Sequence, residues 1–127
     1  MKQTARLALM LLAGFALGAV AIGALKAQGN KPPAYAIAEV EVSDPAGFQQ
    51  YAAKIPATLT PYHGKVVVRG KADTKEGAAP NGSVVVLAFD NLDNAESWYS
   101  STAYREIIPL RERSAKTRLF IVEGLPQ

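Results

Sequence analysis

Five side chains carry the chemistry this chain could perform: His63, Arg69, Trp98, Tyr104 and Arg111. Arg69 closes a β-branched run, Lys65–Arg69. Arg111 follows Tyr104, Ile107 and Ile108 at i, i+3, i+4 and i+7, which places it on the line of an apolar helical stripe. A guanidinium half-buried in this way needs a planar acceptor. Two acceptors suit it: an internal carboxylate, Glu39 or Glu41, or the carboxylate or enolate of a ligand. Trp98, Tyr99 and Tyr104 could line a pocket with hydroxyls orienting a ligand, or be core aromatics facing a sheet. His63 is the single histidine. It could act as an acid–base group or haem ligand, but beside Gly64 it reads more simply as a polar residue at a helix C-terminus. With no cysteine and no second histidine, no metal or cofactor is expected. Gly70–Gly82 lacks P-loop spacing and precedes no helix, so it is no phosphate cradle.

The elements that must position these residues follow from patterning. Tyr35–Val42 alternates, with Ala36, Ala38, Val40 and Val42 on one side and Tyr35, Ile37, Glu39 and Glu41 on the other. Asp44-Pro45 is an N-cap and N1 pair. It opens a helix whose spacing runs through Phe48, Tyr51, Ala52, Ile55, Leu59 and Tyr62. Pro56 should bend this helix, and Gly64 should end it in a left-handed conformation. Lys65–Arg69 is a second strand, Gly70–Gly82 a long hairpin loop and Ser83–Asp90 a third strand. Asp93 and Glu96 have capping-box spacing for a helix from about Asn94 to Tyr99. Ser101 caps another, which Pro109 should kink. Thr117–Glu123 is a fourth strand.

The order β-α-β-β-α-β predicts an α+β, ferredoxin-like fold: an antiparallel four-stranded sheet with two helices on one face. The third strand is apolar on both sides, Val84, Val86 and Ala88 against Val85, Leu87 and Phe89. A strand of that kind is covered on both faces. The chain holds no second layer, so a second copy, sheet against sheet, is the simplest cover, with Leu87 placed on the association surface.

Lys2, Arg6 and Lys26 account for the formal charge of +3, which leaves the remainder neutral and without the footprint of a nucleic-acid binder. They flank the apolar run Leu7–Leu25, and Ala27 offers a small residue for cleavage. The expected organisation is a signal peptide at 1–27, a linker at 28–33 and one domain at 34–127, located in a bacterial periplasm or secreted, with no membrane association after cleavage. The alternative is an uncleaved N-terminal membrane anchor.

The segments YAIAEVEVSDPAGFQQY, HGKVVVRG, VVVLAFDNLDNAESWYSSTAYREIIPLR and LFIVEG resemble, in that order, the small bacterial family known as domain of unknown function thirteen-thirty. Trp98, Tyr99, Ser101 and Tyr104 form its most specific part. The chain departs from the family pattern at His63-Gly64 and at Gly70-Lys71, where Gly-Gly tends to stand. The resemblance implies a subunit of the dimeric α/β-barrel superfamily, with no established activity, substrate or cofactor. The expectation is an exported homodimer binding a small anionic or aromatic molecule. The alternatives are a cofactor-independent enzyme of monooxygenase, isomerase or decarboxylase type, which rests on fold analogy, and a purely structural dimer. A site would lie between the Arg69 strand end, the Tyr104–Arg111 helix and the Gly70–Gly82 loop.

Overall fold

The computed structural model of the protein describes residues 31–127. The expected signal peptide and its alternative as an anchor fall outside the described residues. Pro32–Gln127 form one unit. Its elements are β1 (Ala34–Val42), α1 (Pro45–Leu59) with a 3-10 turn at Thr60–Tyr62, β2 (Lys65–Gly70), β3 (Ser83–Phe89), α2 (Leu92–Ser100), α3 (Thr102–Ser114) and β4 (Ala115–Glu123). The sheet order is β2-β3-β1-β4, antiparallel throughout. This is the ferredoxin-like arrangement read from the sequence.

Local chemistry sets most boundaries. The Asp44 carboxylate accepts from Gly47 N at 3.2 Å and Pro45 stands at the first helical position, so α1 starts there. Ser101 accepts from Tyr104 N at 3.2 Å and opens α3. The cap of α2 differs from the expectation. Asn91, not Asp93, is the capping residue: its backbone is extended and its side chain accepts from Asn94 N at 2.9 Å. α2 therefore begins two residues before the expected start. The end of α1 also differs. His63, not Gly64, adopts the left-handed conformation, at φ 56°. Gly64 is needed for a different reason. A Cβ there would lie 2.7 Å from both the Leu59 and Phe89 side chains, so only glycine lets the chain enter β2 against the core. Neither Pro56 nor Pro109 ends its helix. Both are exposed, so the backbone carbonyl each leaves unpaired can meet water.

Register decides the two faces of the sheet. Ala36 pairs with Leu87 on one side and Ile121 on the other, and Ala38 with Val85 and Leu119. These residues, with Ala34, Val40 and Phe89, face the helices. The alanines on β1 leave room for large aromatics above them: Trp98 and Tyr104 are fully buried, their rings 4.1 Å apart. Leu87 is buried in this core, 5% exposed, which corrects its placement on an association surface. The open face carries Val84, Val86 and Ala88 of β3 instead, with Tyr35, Ile37 and Glu39 of β1 and Arg118, Phe120 and Val122 of β4 in register beside them. Phe120, Val122 and Val68 are exposed. Amid them the Arg118 Nε lies 2.6 Å from Glu39 Oε2, a charge contact too poorly aligned to satisfy that buried oxygen as a hydrogen bond.

One irregularity matters for the site. Val66 pairs with Leu87 and Val68 with Val86, so a β-bulge lies between them. The extra residue reverses the alternation of β2. Arg69 consequently pairs with Val85 and shares the helix-covered side of the sheet.

Candidate ligand-binding site

A pocket of about 160 Å³ lies between α1 and the sheet. Val40 and Val85 come from the sheet, Phe48, Tyr51 and Ile55 from α1, and Arg69 from the bulged edge strand. Its walls are mostly apolar. Arg69 is exposed and supplies the cation, and no carboxylate pairs with it among the described residues. A 150 Å³ apolar cavity is large enough for benzene, so the space fits about one aromatic ring.

Behind Tyr51 lies a polar chain. Tyr51 Oη and Tyr104 Oη are 2.9 Å apart, and Arg111 Nη1 donates to Tyr104 Oη at 2.7 Å. The Arg111 Cζ also lies 5.9 Å from the centre of the Tyr51 ring. The joint between β1 and α1 holds the helices in this relation. Ser43 N and Asp44 N both donate to Ser114 O, at 2.9 and 3.1 Å, which ties the start of α1 to the end of α3. Arg111 is 9% exposed, and its Nε has no hydrogen-bond partner among the described residues. No carboxylate pairs with it among the described residues. Glu39, one of the two acids expected to neutralise it, is on the opposite face of the sheet with Arg118.

Burial pushes the Tyr104 hydroxyl far above the ordinary tyrosine value; Tyr51 beside it acts in the same direction and Arg111 partly offsets it. Tyr104 is therefore neutral at any physiological pH. Burial alone would lower the Arg111 value, but Tyr104 and Tyr51 turn the net shift upward. The core thus contains a fixed cation bonded to the neutral Tyr104 phenol, with the Tyr51 ring beside it.

The expected residues separate into three places. Tyr104 and Arg111 are bonded to each other, and Trp98 stacks on Tyr104 as core: it is fully buried and its Nε1 donates to Thr58 Oγ1 at 3.1 Å. Arg69 lines the pocket while Tyr104 and Arg111 do not; Tyr51 belongs to both groups. His63 is remote in role and in place. Its imidazole is exposed, 3.2 Å from Asp90, in an open depression with Thr60, Gly64 and Lys65. The Gly70–Gly82 loop does not cover the pocket; nearly all of it is exposed. Gly82 does have a strict role, because its φ is +79° and a Cβ there would collide with the Val40 carbonyl. Tyr51 is the residue sequence reasoning missed. Its signal was its place on the α1 stripe with Phe48 and Ile55. No cluster of three or more His, Cys, Asp or Glu residues suited to a metal ion occurs among the described residues.

Arg111→Met is expected to raise stability, since it keeps the stem and removes a buried cation while the Tyr51–Tyr104 bond remains. A gain of about 1 kcal/mol, roughly 4–8 °C in Tm, is the expected size. A thermal melt showing a loss instead would mean that the cation serves the fold.

A comparison with curated proteins gives no match. Among solved structures, the chain is similar to a protein of unknown function from Rhodopseudomonas palustris: 15% identity, TM-score 0.59, covering 82% of this chain and 92% of that one. It is similar also to SnoaB, a cofactor-independent oxygenase from Streptomyces nogalater, at 12% identity and TM-score 0.55, covering 76% of this chain and 96% of that one. A dimeric ferredoxin-like protein of unknown function from Thermobifida fusca matches at 12% identity and TM-score 0.50, covering 73% of this chain and 92% of that one. These likenesses confirm the ferredoxin-like fold. With the family model matched over residues 33–125, the chain belongs to the family described as domain of unknown function (DUF1330).

Proposed function

We propose that the protein is an exported homodimer that binds a small aromatic acid of one ring in the pocket between α1 and the sheet. The observation that carries this reading is the pocket itself: about 160 Å³, apolar walls, and Arg69 as a guanidinium with no carboxylate partner among the described residues. A planar aromatic carboxylate matches both its shape and its charge. The apolar open face of the sheet, together with the dimeric relative from Thermobifida fusca, supports the homodimer. The basic start, apolar run and Ala27 support export.

A second reading is favoured by the buried Tyr51–Tyr104–Arg111 cluster. An oxygenase that needs no cofactor must stabilise an ionised substrate with its own side chains, and the relative from Streptomyces nogalater is such an oxygenase on this fold.

Benzoate tests the first reading. At a concentration one hundred times Kd it should stabilise the protein by about 2.7 kcal/mol. Arg69→Met should remove that gain with little change in the unliganded Tm, because Arg69 is exposed. No rise with any one-ring acid overturns the reading. Export has its own check: intact-mass measurement of protein recovered from the periplasm should show Gln28 as the first residue. A membrane-bound species retaining Met1 would contradict it.

A further inference from the structure

We propose that the chain Arg111–Tyr104–Tyr51 makes the inner wall of the pocket a receptor for an oxygen anion, so that the one-ring acid carries, besides the carboxylate held by Arg69, a phenol or enol oxygen bound in its ionised form. This rests on the binding reading above and names the chemistry of its ligand.

The direction of the hydrogen bonds carries the argument. Arginine can only donate, so Tyr104 Oη accepts from Arg111 Nη1 at 2.7 Å. The Tyr104 hydroxyl has one hydrogen to place and is fully buried. Its partner is Tyr51 Oη, 2.9 Å away. Were Tyr51 the donor instead, Tyr104 would carry two incoming hydrogens and its own would be left in the core without an acceptor, which is costly for a buried hydroxyl. The chain therefore runs outward from the cation: Arg111 to Tyr104, Tyr104 to Tyr51. That leaves the Tyr51 hydrogen for a further acceptor, and Tyr51 is the member that lines the pocket.

Charge points the same way. The groups facing the chain are Tyr99 from α2, whose ring centre is 5.7 Å from that of Tyr104, Phe48 from α1, and the guanidinium of Arg69 at the pocket. No acid pairs with Arg111 among the described residues. A buried cation in a chain of aligned donors polarises each bond in turn and favours a negative oxygen at its open end. The ionising hydrogen of the ligand leaves to solvent. Arg111 does not line this pocket and acts through Tyr104 and Tyr51, so it is a positioning residue.

The test uses 4-nitrophenol, whose two ionisation states absorb differently, titrated into the protein across a pH range spanning its ionisation. The phenolate should bind about tenfold or more tightly than the phenol, seen as a lowered apparent pKa of the bound dye. Tyr51→Phe should bind both forms alike. Arg111→Met, which retains both tyrosines, should lose most of the preference, whereas Arg69→Met, which removes only the outer cation, should weaken the phenolate yet keep part of the preference. Equal affinity of the wild-type protein for the two forms, or binding of benzoate but not of 4-nitrophenol, overturns this inference and leaves the pocket reading standing. Binding of neither overturns both. An unchanged preference in Arg111→Met also overturns it.

Discussion

Trp98→Ala is expected to cost about 3–5 kcal/mol of folding stability, the range for emptying a fully buried aromatic site. The indole is 0% exposed, 4.1 Å from the Tyr104 ring and 5.5 Å from that of Phe89. Its N–H is donated to Thr58 Oγ1, and Thr58 donates onward to Ile55 O at 2.7 Å. Truncation empties the space between α2, α1 and β3 and deprives a buried hydroxyl of its donor. A domain of this size has about 5–15 kcal/mol in total, so the variant should unfold at far lower urea concentration. A loss under about 1 kcal/mol would mean that the indole sits in a yielding pocket and not in a close-packed core.

The second large effect concerns the open face. Val86 lies between Ile37 and Val68 in register, near the middle of the apolar surface, and its side chain points away from the helices. In a two-fold dimer a lysine placed there appears twice and meets an apolar partner surface. Val86→Lys should weaken association by at least about a hundredfold, since burying each unpaired charge costs several kcal/mol. Sedimentation at micromolar concentration should show the wild-type protein at twice the mature mass and the variant at that mass, with its helix signal retained. A wild-type monomer, or a variant that remains dimeric, contradicts the sheet-to-sheet assembly. Leu87→Lys is the control: one residue along, it enters the core and should unfold the chain.

The contrast between these neighbours shows what could be read from the sequence. The alternation of β1 and the two apolar sets of β3 were legible, and so were the caps at Asp44 and Ser101, because each rests on local chemistry. Which apolar set of β3 faces the helices was not legible; that depends on register with β1, a long-range fact. The bulge between Val66 and Val68 is also silent in VVV, yet it alone brings Arg69 onto the helix side. The cap of α2 was misplaced because Asn91 and Asp93 both offer side-chain oxygens, and it is Asn91 whose extended backbone and side-chain bond to Asn94 N make the cap. The left-handed residue was misassigned because glycine has two uses, conformational freedom and lack of bulk, and Gly64 is required for the second. Within the site, the stripe placed Arg111 inward correctly. Of the two acceptors considered for it, the internal carboxylate is not the one: no acid pairs with Arg111 among the described residues. Glu39 and Glu41 were considered by charge alone, although alternation along β1 had already placed both on the other side of the sheet from α3. The bond between Tyr51 and Tyr104, fifty-three residues apart, needed the packing of α1 against α3 to become visible.

The central claim is that a small aromatic acid occupies the space between α1 and the bulged edge of the sheet. It is tested most directly by mapping backbone amide chemical shifts of the protein during a benzoate titration. The account predicts saturable shifts concentrated at Phe48, Tyr51, Ala52, Ile55, Arg69, Ser83 and Val85, with the amides of His63, Gly64 and Lys65 unmoved. Shifts clustered at His63 and Asp90, or spread over the open face of the sheet with none on α1, would contradict it.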